Sequence, residues 1–114
     1  MNVVTKVVNI LLNIITVCGG DMELPINYKQ THWSVRKQAR ELYVEQQKGL
    51  CCFCNKPLVG SPSEMVVSAK INTKIFPKSM FDYPVHLHHC HKTDMTIGAV
   101  HARCNAYMWQ YLNQ

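Results

Sequence analysis

Two periodicities divide this chain. Near the start, Val3, Val4, Val7, Val8, Ile10, Leu11, Leu12, Ile14, Ile15 and Val17 surround a polar stripe of Asn2, Thr5, Lys6, Asn9, Asn13 and Thr16. At 100° per residue that stripe spans about 100°, which predicts an amphipathic helix over residues 1–20 ending at Gly19-Gly20, although β-branched residues weaken the helical preference. Four readings are open: a membrane-surface or export segment, a contact between two copies, a helix packed on the domain, or an extension upstream of a true start at Met22. The last two are favoured. The run is shorter than the ~20 apolar residues a bilayer needs and carries Asn at two central turns, so a membrane span is not expected. No small-x-small cleavage site follows it.

From Thr31 a second helical pattern begins. Val35, Ala39, Leu42, Tyr43 and Gln46 recur at i, i+4, i+7, i+8 and i+11, one face of a helix. Thr31 or Ser34 is placed to cap its start, and Gly49 suits the left-handed residue beyond its end. The stretch Lys56–Pro84 holds most of the prolines and reads as loop, with a strand expected at Met65–Ala69 or Ile71–Phe76. Val85–His89 and Met95–Val100 read as strands. Ala102–Leu112 reads as a closing helix, with Met108, Trp109 and Leu112 as its apolar contacts.

A length of 114 residues makes one folded domain, here residues 21–114, and a core of that size often carries a metal staple. Hydrophobic residues at 47% exclude a disordered chain. The formal charge of +5 suits a polyanion partner, but a solvated surface carries it equally well. Of the six cysteines, Cys51 and Cys54 form a C-x-x-C pair, and His101 and Cys104 form a matching H-x-x-C pair. Donors three apart can face one ion, and zinc takes four sulfur or nitrogen donors in a tetrahedron. Cys52 is too close to Cys54 to join them. Zinc thiolates and spare thiols such as Cys18 and Cys90 fit a reducing cytoplasm.

The stretch between the pairs suggests chemistry. His86, His88, His89 and His91 crowd one short segment, too polar to be buried without partners. Imidazoles bind metals and act as bases near neutral pH. Asn105 follows Cys104 directly, so an ion that fixes Cys104 also fixes an amide able to reach a second metal. Arg36, Lys37 and Arg40 lie off the apolar face of the first helix, where they can grip phosphates or simply be solvated.

These residues resemble the HNH, or ββα-metal, endonucleases, and among them the phage recombination endonuclease VII group. The matching stretches are Cys51–Cys54, His86-Leu87-His88-His89-Cys90-His91-Lys92-Thr93, Gly98, and His101-Ala102-Arg103-Cys104-Asn105. They lie within residues 35–110. The resemblance implies an α+β, zinc-stapled ββα-metal fold behind an N-terminal helical segment. It implies a DNA endonuclease that hydrolyses phosphodiester bonds by nicking or double-strand cutting, of a phage or mobile-element kind. By the same resemblance His89 is the general base, and His88 and Asn105 hold a catalytic divalent ion, Mg2+ or Mn2+. Cys51, Cys54, His101 and Cys104 hold structural zinc, and Arg36, Arg40, Lys92 and Arg103 contact DNA. His91 orients the site, touches the scissile phosphate, or is a surrounding or surface residue with neither role.

Three positions depart from the group's pattern. His101 replaces a cysteine, Cys90 stands where the group often has Asp, and His88 replaces a carboxylate. An imidazole suits softer ions, so Mn2+, Co2+ or Ni2+ is expected to support cleavage better than Mg2+. The expected partner is DNA, with a homodimer through residues 1–20 as an option and no organic cofactor. The short stretch after Asn105 argues against four-way junction resolution. The rival expectation is a non-catalytic zinc module that binds nucleic acid or protein. It needs the four zinc ligands but not His88, His89 and Asn105 together.

Overall fold

In a computed structural model, residues 22–114 are described; the helix expected over residues 1–20 lies outside them. The architecture is small and α+β. Helix α1 spans Trp33–Gln46, α2 spans Glu64–Val67, and a 3-10 segment spans Lys78–Asp82. Strands β1 (Val85–His89) and β2 (Thr96–His101) form a two-stranded antiparallel sheet, and α3 (Ala102–Leu112) follows β2 directly. No helix among the described residues is long and apolar enough to cross a membrane.

Helix α1 is where its periodicity places it, but its cap is neither Thr31 nor Ser34. His32 is the N-cap, and its Nδ1 accepts the Ser34 amide at 3.2 Å. Thr31 is unavailable because its hydroxyl donates back to the Asn27 carbonyl at 2.9 Å. At the other end Lys48 and Gly49 both take left-handed φ, and the Gly49 amide closes onto Val44 O at 2.9 Å. A helix stops where an αL residue satisfies its last carbonyls. The inner face of α1 buries Ala39 and Tyr43.

No strand forms at Met65–Ala69 or Ile71–Phe76. The first segment begins with α2 and the second is turns; Val66 and Phe76 are their buried apolar anchors. Despite the strand propensity of Met-Val-Val, the amides of Val66 and Val67 both turn back onto the Ser63 carbonyl at 3.0 Å. The outer edge of β2 is already covered at Ala99, whose amide donates to Gln47 Oε1 at 2.8 Å. Its carbonyl accepts from Gln47 Nε2 and from the Cys52 amide, both at 2.9 Å. Gln47 thus pairs like a strand residue and protects the edge.

The hairpin has β1 Val85–His88 opposite His101–Gly98 of β2, then an irregularity between His88 and His89, so that His89 faces Thr96. The second strand therefore runs one residue later than expected. Met95 instead makes an isolated bridge to Asn27, and Thr96 exchanges hydrogen bonds with Ile26. The buried Tyr43 hydroxyl reaches the Thr96 hydroxyl at 2.9 Å, tying α1 to the same point. Gly98 is required by packing. A Cβ there would sit 2.8 Å from Gln47 Oε1 and 2.9 Å from Cys52 Sγ. In α3, Ala102, Cys104, Ala106 and Met108 turn inward. Trp109 and Leu112 do not join the core as expected but remain 42% and 44% exposed.

Candidate metal centre and histidine cleft

Cys51, Cys54, His101 and Cys104 converge, their donor atoms all within 4.8 Å of one another, and could hold a metal such as zinc. The first two come from a knuckle after α1, closed by Cys51 N–H to Lys56 O at 2.8 Å and Asn55 N–H to Cys51 O at 3.0 Å, with Asn55 left-handed. The other two come from the last residue of β2 and the first turn of α3. His101 Nε2 lies 2.8 Å from the Pro57 carbonyl and donates to it, which leaves Nδ1 bare. That Nδ1 lies 3.5 Å from Cys54 Sγ and 3.6 Å from Cys104 Sγ. Around a tetrahedral zinc, bond lengths of about 2.3 Å to sulfur and 2.0 Å to nitrogen put sulfur and nitrogen about 3.5 Å apart. The donor set and its spacing therefore fit zinc. Hydrogen bonding from Cys104 pulls the Cys51 thiol down to about 4, while sharing that proton pushes Cys104 up. Cys52 turns away to pack beside Gly98. Among the described residues no second group of three Cys, His, Asp or Glu side chains converges in this way.

Beside this centre lie the histidines of β1. His86 donates through Nε2 to the Met80 carbonyl at 2.9 Å. Its Nδ1 is then an acceptor, and it takes a hydrogen from Asn105 Nδ2 at 3.2 Å. The pairing orients the amide and leaves Oδ1 as its acceptor. His88 is 4% exposed, and its Nδ1 is buried without a hydrogen-bond partner. An orphaned imidazole nitrogen of this kind is costly unless it has a further ligand. A metal ion is one ligand that a neutral imidazole nitrogen can take.

His89 stacks on Tyr28 with ring centres 4.1 Å apart and planes at 9°. His91 meets His89 edge-on at 4.6 Å and rests on Trp109 at 3.6 Å. His86, His89 and Asn105 line one cavity of about 550 Å³. His88 lines the neighbouring cavity together with His89, His91 and Lys92. His89 is thus the wall between the two. Asn105 bears on the His88 ring and partly offsets the effect of its burial. Burial pushes His86, His88, His89 and His91 below the ordinary imidazole value, and for His89 the neighbouring rings of His91 and His88 add to this. All four are therefore neutral at pH 7, the form that binds metal or accepts a proton.

The basic residues divide by what they already hold. Arg36, Lys37 and Arg40 line the cavity of His89 and Asn105. Arg36 also donates to the Tyr28 carbonyl at 3.1 Å, with its guanidinium carbon 4.7 Å from the Tyr28 ring centre. Lys92 is exposed beside His91. Arg103 is engaged elsewhere. Its guanidinium donates to the carbonyls of Val66 at 3.1 Å, Val67 at 3.2 Å and Ala69 at 2.6 Å, closing the end of α2. Tyr28, Met80 and Gln47 escaped the sequence reading. They act through backbone groups or ring stacking across long separations, which no local spacing signals.

A scan against protein-family models and searches of curated proteins and of solved structures find no match to this chain.

Proposed function

We propose that the chain is a metal-dependent endonuclease of the HNH kind that hydrolyses phosphodiester bonds in DNA, with structural zinc in the Cys3His centre. One observation carries the reading most: Asn105, one residue beyond a candidate metal ligand, has its amide oriented by His86 and bears on the His88 ring, whose Nδ1 is buried without a partner. A non-catalytic zinc module has no use for that arrangement.

His89, kept neutral by burial and braced by Tyr28, takes a proton from the attacking water. His88 and Asn105 are the residues that would hold a divalent ion, which would supply Lewis-acid stabilisation of charge at the phosphate and leaving oxygen. Arg36, Lys37 and Arg40 hold the backbone phosphates without reading sequence. The products expected are 5′-phosphate and 3′-hydroxyl ends.

Incubating the zinc-loaded protein with supercoiled plasmid across a divalent-ion series tests the proposal. Nicked or linear product is expected, with Mn2+, Co2+ or Ni2+ ahead of Mg2+. His89→Ala should abolish cleavage while zinc content and circular dichroism stay unchanged. Undiminished cutting by that variant would remove His89 from the mechanism, and no cutting with any ion would leave only the zinc-module reading.

A further inference from the structure

We infer that the cleft accepts a nucleic-acid strand that is unpaired at the step to be cut, with a base stacked on Trp33 or Tyr83. The inference rests on the nuclease reading above. The cavity that holds His86, His89 and Asn105 is also lined by Arg36, Lys37 and Arg40 and by the rings of Trp33 and Tyr83. Its volume of about 550 Å³ is in the range of sites that enclose one small ligand.

The cations do not distinguish a duplex from a single strand, because both present phosphates. The rings do. In a duplex each base face is covered by its neighbours, so a protein ring finds nothing to stack on. An unpaired base offers an open π-face to any aromatic side chain, whatever its sequence. Trp33 is 63% exposed and Tyr83 is 75% exposed. Tyr28, the third aromatic in the cleft, is already engaged by His89 and Arg36. Trp33 and Tyr83 are therefore the rings with free area. They come from the first turn of α1 and from the residue after the 3-10 segment, and they meet the same cavity only through the fold. Aromatic rings interleaved with cations beside a phosphate-cutting site suit a single strand, a flap or a bulge better than a continuous duplex.

The test uses the full chain, zinc-loaded and carrying His89→Ala so that nothing is cut. Affinities are measured by fluorescence anisotropy for labelled oligothymidylate, oligouridylate and a blunt DNA duplex of equal length. Single strands are expected to bind about tenfold tighter than the duplex, and the two oligonucleotides tell DNA from RNA preference. Trp33→Ala or Tyr83→Ala should weaken single-strand binding by about tenfold or more and leave duplex binding within about twofold. Lys37→Ala should weaken both. Zinc content reports that each variant is folded. Equal affinity for duplex and single strand, or equal losses on both in the ring variants, would overturn the inference. Cleavage confined to duplex by the unsubstituted chain would overturn it while leaving the nuclease reading intact. Ring-dependent single-strand binding by a chain that cuts nothing would support the docking site and remove the nuclease reading alone.

Discussion

At the scale of single residues, protonation and hydrogen-bond direction decide what the histidines do. His86 and Asn105 are joined in one sense only, because the Met80 carbonyl takes the Nε2 hydrogen of His86. His86→Ala would free the Asn105 amide to rotate. Residues that orient a metal ligand typically contribute about 10- to 100-fold in metal affinity or activity. Divalent-ion binding by His86→Ala, followed by calorimetry on the zinc-loaded protein, should weaken by that order with the zinc content unchanged. The pH dependence follows from burial. Burial holds His89 below its ordinary value of 6.5, so on the proposed nuclease reading its base form persists below that pH and cleavage should fall away only on the acid side of it. Stability moves in the same direction. With folded values depressed relative to unfolded ones, the unfolded chain binds more protons as pH drops, so the stability present above about 6.5 is lost as pH falls through the folded values. Thermal melts stepped from neutral to acid pH should show Tm declining, and a flat profile would contradict the burial of these rings.

At the scale of elements, the hairpin and its knuckle are fitted to each other at Gly98. Any side chain there meets Gln47 Oε1 and Cys52 Sγ inside normal contact distance. Gly98→Ala must displace either the Gln47 side chain that seals β2 or the knuckle carrying Cys51 and Cys54. Overpacking of this kind costs about 1–3 kcal/mol, and a denaturant melt of the variant should show it. A position tolerant of Ala would mean that Gln47 and Cys52 are free to move. Helix α2 shows the limit of reading propensity alone. Its valines favour a strand, but their amides turn back onto the Ser63 carbonyl and the Arg103 guanidinium closes the end of the helix. The same contacts draw Arg103 away from the phosphate-binding role that its place in the motif suggested.

At the scale of the whole molecule, the metal centre joins parts far apart in sequence. Cys51 and Cys54 follow α1, while His101 and Cys104 join β2 to α3, and the hairpin lies between the pairs. The buried cluster around them is small: among the described residues it has ten members, of which two are alanines and two are the cysteines Cys51 and Cys104 of the candidate centre itself. A core of this kind depends on its staple, and structural zinc supplies folding energy directly. Cys104→Ala, or a strong chelator acting on the native chain, should abolish the cooperative melt and collapse the circular dichroism. Retention of native dichroism by the metal-free chain would show that the core suffices alone.

The sequence by itself determined whatever local spacing encodes: the periodicity of α1 and α3, the β1 strand, the αL residue at Gly49, and the two paired ligand sets. These are short-range properties, written within one or two turns of chain. The tertiary structure alone decided what depends on distant partners. It selected Nδ1 of His101 as the metal-facing atom through Pro57, turned the Asn105 amide through His86 and Met80, braced His89 on Tyr28, and diverted Arg103 to α2. It also denied the valines of α2 a strand. In each case the deciding group is a backbone carbonyl or a ring face, which residue identity does not reveal until the chain has closed on itself.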